Sequence, residues 1–172
     1  MTLACTVFVG GPDIPNQPIP VSTEAVASLQ QGMQTAVAAG AVSGEVTLLI
    51  NEMQLTSYLA AKLASDSNPM FTDPQVYLRD GQMRIYGKSK QGYLSANIGI
   101  VLEVGTDADG RPKLKLVSAD FGPFPLPEGL NDAITAIIEE AYTGALGPVA
   151  TGFRLQSITI ADGVMTIVGR IR

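Results

Sequence analysis

Gly87-Lys88-Ser89 has the closing residue types of a phosphate-cradling loop. Such a loop needs a further glycine five residues before the Gly-Lys pair, so that backbone N–H groups can wrap the anion. Gln82 stands there, and the segment reads as a strand leaving a hairpin. Asp107-Ala108-Asp109-Gly110 has the alternating carboxylates of a calcium loop. The first ligand position then falls on Gly105 and the closing bidentate acid on Leu116, so an ordinary turn is the better reading. Glu139 and Glu140 are adjacent, and neighbours on a helix point about 100° apart, which suits a solvated edge rather than a shared substrate. Ser57 and Lys62 lack the spacing of a Ser-Lys hydrolase. Glu52 and Lys62 read as a surface ion pair. Tyr77, Tyr86 and Tyr93 read as one sheet-face cluster, whose simplest role is cross-strand packing.

The 172 residues contain no histidine, no tryptophan and one cysteine, Cys5. Without histidine there is no Ser-His or Cys-His nucleophile, no imidazole acid–base chemistry and little basis for a zinc site. A non-enzymatic protein without cofactor or metal is therefore expected.

The elements that must position any other kind of site belong to one domain, residues 21–172, preceded by an arm or linker at residues 1–20. Apolar residues make up 46% and charged residues 16% of the chain. About 25% charged is usual, so the shortfall points to a large interior, a lined cavity or a membrane-proximal life. A net charge of −5 without a basic run argues against nucleic acid as a partner. No apolar stretch is long enough to span a bilayer.

Leu3-Ala4-Cys5 resembles the end of a bacterial lipobox, with Thr2 where a leucine is usual. Cys5 is thus either a lipidation point or an incidental thiol. Gly10 to Pro20 holds four prolines, which keep it extended. That suits a tether or a plain N-terminal arm equally.

Ser22 reads as an N-cap, with Val26 placed to staple onto Val21. Val26, Leu29, Met33 and Val37 recur at helical spacing, Gly40 is the expected stop, and the thin alanine-rich face suggests a peripheral helix. Val46, Leu48 and Ile50 alternate as a strand that runs into a second helix, capped by Asn51 and Gln54. Its stripe is Leu55, Leu59 and Leu63, with Tyr58 beside them. Asp80-Gly81 then joins two alternating runs as a type I′ hairpin, pairing Leu78 with Met83 and Val76 with Ile85. Tyr93 to Val104 and Lys113 to Phe121 extend it to a four-stranded antiparallel meander, with Gly87, Gly92 and Gly99 as places to bend. After the Pro-rich turn at residues 123–127 comes a third helix, about 128–142, with Leu130, Ile134, Ile137, Ile138 and Ala141 on its apolar face. Asp162-Gly163 closes a last hairpin that pairs Ile160 with Met165. The fold class is α+β: a long, curved antiparallel meander with hairpins, packed against two to three amphipathic helices.

This order, with Asn51-Glu52-Met53-Gln54-Leu55-Thr56-Ser57-Tyr58-Leu59 after a strand and Phe121 to Pro127 before a helix, resembles the TULIP-like lipid-binding superfamily. Within it, residues 44–172 are similar to bacterial extracytoplasmic proteins of the YpmS and LmeA type. The resemblance implies a cell-envelope protein that holds an apolar or lipid-like small molecule and has no catalytic residues, with Cys5 as the candidate lipoprotein tether. Leu55, Leu59, Leu63, Ile98, Ile100, Ile134, Ile137 and Ile138 are the expected ligand-binding residues. The same residues would serve equally as plain core. The alternative function is a structural, protein-interaction domain acting through sheet edges or surface contacts.

Overall fold

The structure, a computed structural model, describes residues 6–136 and 153–171. It contains β1 (Val7–Phe8), α1 (Thr23–Ser43), β2 (Glu45–Asn51), α2 (Glu52–Ser65), β3 (Thr72–Arg79), β4 (Gln82–Gln91), β5 (Leu94–Thr106), β6 (Pro112–Asp120), β7 (Phe153–Ala161) and β8 (Val164–Ile171). Residues 130–136 are also helical. The chain is α+β, with a curled, mainly antiparallel sheet packed by helices.

Both Asp-Gly turns form as expected. Asp80 and Gly81 have φ of 55° and 74°, and Asp162 and Gly163 have 51° and 80°. Positive φ at both central residues gives a two-residue turn the twist of its flanking strands. Leu78 pairs with Met83 and Val76 with Ile85, and Ile160 pairs with Met165. The meander β3-β4-β5-β6 is continuous and antiparallel. Pairing runs unbroken past Gly87 and Gly99. These glycines allow close approach: a Cβ at Gly87 would strike the Phe71 ring, and one at Gly99 would crowd Pro12.

The strands divide into two sheets. β1 joins the meander as a short parallel partner of β5, and β2, β8 and β7 form a separate antiparallel sheet. One core cluster runs through both: Leu48, Ile50 and Met165 from the smaller sheet meet Leu78, Ile98 and Ile100 from the larger.

The first helix departs from expectation in two ways. It passes through Gly40 and ends at Gly44, whose φ of 79° makes the left-handed cap. Gly40 is buried instead, because a Cβ there would overlap Val46 Cγ2 and crowd Ile171 Cδ1. Its small size lets the helix lie close on β2 and β8. The helix is also no peripheral element, since Leu29 and Met33 belong to the main core. Val21 stays exposed and makes no staple, but Ser22 caps as expected, its Oγ accepting from Ala25 N at 3.0 Å.

The second helix guards the free edge of β3. Fully buried Thr56 accepts Val76 N at 3.0 Å through Oγ1. Glu52 Oε1 accepts Leu78 N at 2.7 Å and also pairs with Arg79. Glu52 is therefore partnered by Arg79. Gly163 N donates to Leu78 O at 3.2 Å, so the β7–β8 turn closes on the same edge. Buried Ser57 accepts Ser22 N at 3.1 Å and joins the two helices. Thr56→Val keeps the side-chain shape but leaves the Val76 amide unpaired in the interior, at a cost of about 1–3 kcal/mol. Urea denaturation should show that loss, and Thr56→Ser should recover most of it.

The proline-rich arm is extended, as expected, and lies along the outer face of the larger sheet. Tyr77 donates its hydroxyl to Gln17 O at 2.8 Å, Gln75 exchanges two hydrogen bonds with Ile19, and Asn97 Nδ2 donates to Pro12 O at 3.1 Å.

Candidate ligand-binding site

The interior is not filled. A cavity of about 160 Å³ lies between the inner faces of the two sheets and the helices. Each wall follows from a local pattern. Alternation along β2 turns Val46, Leu48 and Ile50 inward, and alternation along β8 does the same for Met165 and Ile167. From the meander come Val76, Met83, Ile85, Ile100 and Val104. Helical spacing brings Leu29, Met33 and Ala36 of α1 and Leu55, Tyr58 and Leu59 of α2 to the same space.

Four expected residues line the cavity: Leu55, Leu59, Ile100 and Ile134. Leu63 and Ile98 are buried in the core cluster away from its wall. Ile137, Ile138 and Cys5 lie outside the described residues. The wall from α1, and that from β2, β7 and β8, were not among the expected site residues. The alternation at 46–50 and 165–167 was a readable signal. The α1 contribution was harder to see, because Ala36 and Gly40 give that face little apolar weight.

The lining named by the structure has no charged side chain, and Tyr58 carries its one polar group. Among the described residues no buried side-chain polar atom lacks a hydrogen-bond partner. Among the described residues the space therefore presents hydrocarbon to whatever enters it, with no charged side chain to orient a reacting group. No group of acids and cysteine suited to a metal ion occurs among the described residues.

A second, polar recess of about 460 Å³ lies outside the larger sheet, where Pro15, Asn16 and Gln17 of the arm face Tyr77, Arg79, Arg84 and Tyr86. Tyr77 and Tyr86 stack edge to face at 5.8 Å. Tyr93 stands apart from them on a turn, largely exposed, so the expected cluster is a pair. Both Tyr77 and Tyr86 are on the face that carries the arm. Burial chiefly, with help from the charge of Glu52, holds the Tyr77 phenol above its ordinary value.

No family model matches the chain, and no match is found among curated proteins. A crystal structure of lipopolysaccharide binding protein is similar over 88% of this chain and 48% of its own, at 10% identity and a TM-score of 0.22. The chain thus spans about half the length of that protein, and the likeness is too slight to assign a fold or a ligand.

Proposed function

We propose that this protein is a non-enzymatic binder of an apolar or lipid-like molecule, held between its two sheets and its helices. The observation that carries the reading is the cavity. An apolar-lined space of about 160 Å³, partly open to the surface, is packing that the interior forgoes. A core under selection for stability alone has a simple remedy, larger side chains at Ala36 or Val46. A hydrocarbon-lined space of this size excludes water and accepts apolar guests. It is smaller than the roughly 300 Å³ at which drug-sized sites begin. It therefore suits part of an acyl chain or a small hydrocarbon, with any polar head group outside. The resemblance of residues 44–172 to TULIP-like proteins supports the same reading.

The proposal extends to location. The protein is read as extracytoplasmic, with Cys5 as the lipidation point, on the support of Leu3-Ala4-Cys5 and the extended arm that follows it. The other reading, strand addition at a sheet edge, finds the β3 edge occupied: Val76 N and Leu78 N are bonded to α2 side chains, and Leu78 O to the β7–β8 turn.

The test is mass spectrometry of an organic extract from the natively purified protein, together with native mass spectrometry of the intact chain. A lipid or other apolar molecule at near one-to-one ratio is expected. A clean apo protein that takes up neither fluorescent fatty acids nor phospholipids would overturn the reading and leave the cavity a packing defect.

A further inference from the structure

Among the described residues, two aromatic rings and a valine stand exposed together at one end of the larger sheet. Val7, Phe8 and Tyr93 are 50%, 60% and 72% exposed. Their positions follow from the register. Val7 sits opposite Leu94 and Phe8 opposite Ser95 on β5, and Ser95 in turn sits opposite Lys90 on β4. Phe8, Ser95 and Lys90 thus form one row across three strands, about 10 Å from end to end at two strand spacings. Tyr93 is at the tip, in the turn between β4 and β5.

Alternation places Lys90, Lys88 and Arg84 on one face of β4, the outer face that also carries Phe8. β4 contains no acidic residue, although the chain as a whole has a net charge of −5. Arg84 is paired with Asp80, and Lys88 lies 3.7 Å from Asp73. Lys90, nearest the aromatic tip, makes no ion pair among the described residues.

We propose that this tip, β1 with the β4–β5 turn, is a surface that docks on an anionic lipid bilayer. The combination is the one an interface selects. Aromatic rings settle at head-group depth, long lysine stems reach past them, and the ammonium groups meet lipid phosphates. The unpaired ammonium of Lys90 at the tip complements such a surface, while the net charge of the whole protein would be repelled by it. That difference orients the molecule with the β4–β5 turn toward the bilayer. Thr6, Val7, Phe8 and Val9 at this tip carry no charged side chain. Docking does not depend on the cavity being occupied.

Flotation of the full 172-residue chain, unlipidated, with two kinds of vesicle tests this. One is phosphatidylcholine alone and the other is equimolar phosphatidylcholine and phosphatidylglycerol. Binding to the anionic vesicles is expected, weakening as salt shortens the Debye length. Lys90→Gln should lower the partition coefficient about fivefold, the weight of one cation near an anionic surface. Phe8→Ser combined with Tyr93→Ser should lower it by about tenfold or more. All three positions are exposed, so the thermal transition should not move. Absence of binding to either vesicle, or unchanged binding by the double variant, overturns the proposal. So does a concentration-dependent dimer that Phe8→Ser abolishes, which would assign the patch to a second copy of the chain. Extraction of bound lipid is a separate readout, so the fate of the cavity reading and of the docking surface can be told apart.

Discussion

Ala36→Phe is expected to weaken uptake of an apolar guest while leaving the protein folded. Ala36 lies on α1 and lines the cavity, and α1 is held independently by the Ser22 cap, the Gly44 cap and the Ser22–Ser57 bond. A phenyl ring at this position grows into unfilled space rather than into packed atoms. Overpacking in a full core costs about 1–3 kcal/mol, whereas filling a void is neutral or stabilising. The thermal transition should therefore hold or rise. The guest forfeits burial at about 0.8 kcal/mol per methylene, so displacing two methylenes already weakens binding roughly tenfold. Titration with a fluorescent fatty acid or phospholipid, beside a melting curve, reads both quantities. Unchanged affinity would mean that the guest binds elsewhere. An unfolded variant would mean that the space beside Ala36 is not there to be filled.

Leu78→Ala should produce a large loss of stability, about 2–5 kcal/mol. Leu78 is completely buried near the C-terminal end of β3. Its side chain belongs to the core shared by both sheets, and its backbone is fixed on both sides, to α2 through Glu52 and to the β7–β8 turn through Gly163. Because that backbone cannot follow the missing atoms inward, the void will not close. Urea unfolding monitored by circular dichroism gives the difference directly. A loss below about 1 kcal/mol would show that the β3 region collapses freely after all, at the low end for a buried methylene deletion.

Local signals in this sequence were easy to read, and long-range ones were not. Asp80-Gly81 and Asp162-Gly163 dictate their turns by φ alone, and the alternation beside them sets the register. Asn51 and Gln54 announce the start of α2, and both capping-box bonds form. The partition into two sheets could not be read the same way. It depends on β2 pairing with β8, which sets Leu48 opposite Ile167 across most of the chain, and two amphipathic strands carry no mark of which partner they will choose. The site was half legible for a related reason. Leucine and isoleucine at Leu55, Leu59, Ile100 and Ile134 advertise burial, but not whether they line a space or fill one. Leu29 and Met33 read as peripheral because the helix around them is rich in alanine. Small residues are what allow α1 to approach β2 closely, as Gly40 does against Val46.

The parallel pairing of β1 with β5 has a mechanical consequence. Val7 N bonds to Tyr93 O at 2.8 Å, Val9 N to Ser95 O at 2.8 Å, and Asn97 N to Gly10 O at 2.9 Å. These bonds lie across the direction in which the chain leaves the tip. A pull on the residues ahead of Val7, directed away from the tip, slides β1 along β5 and loads the three bonds together in shear. The same pull applied from the Gly10 side, lifting the strand off its neighbour, would peel them one at a time. Tension on the chain ahead of Val7 thus meets its greatest resistance along the strand, and the grip is placed ahead of the cavity walls, which stay unloaded until it slips.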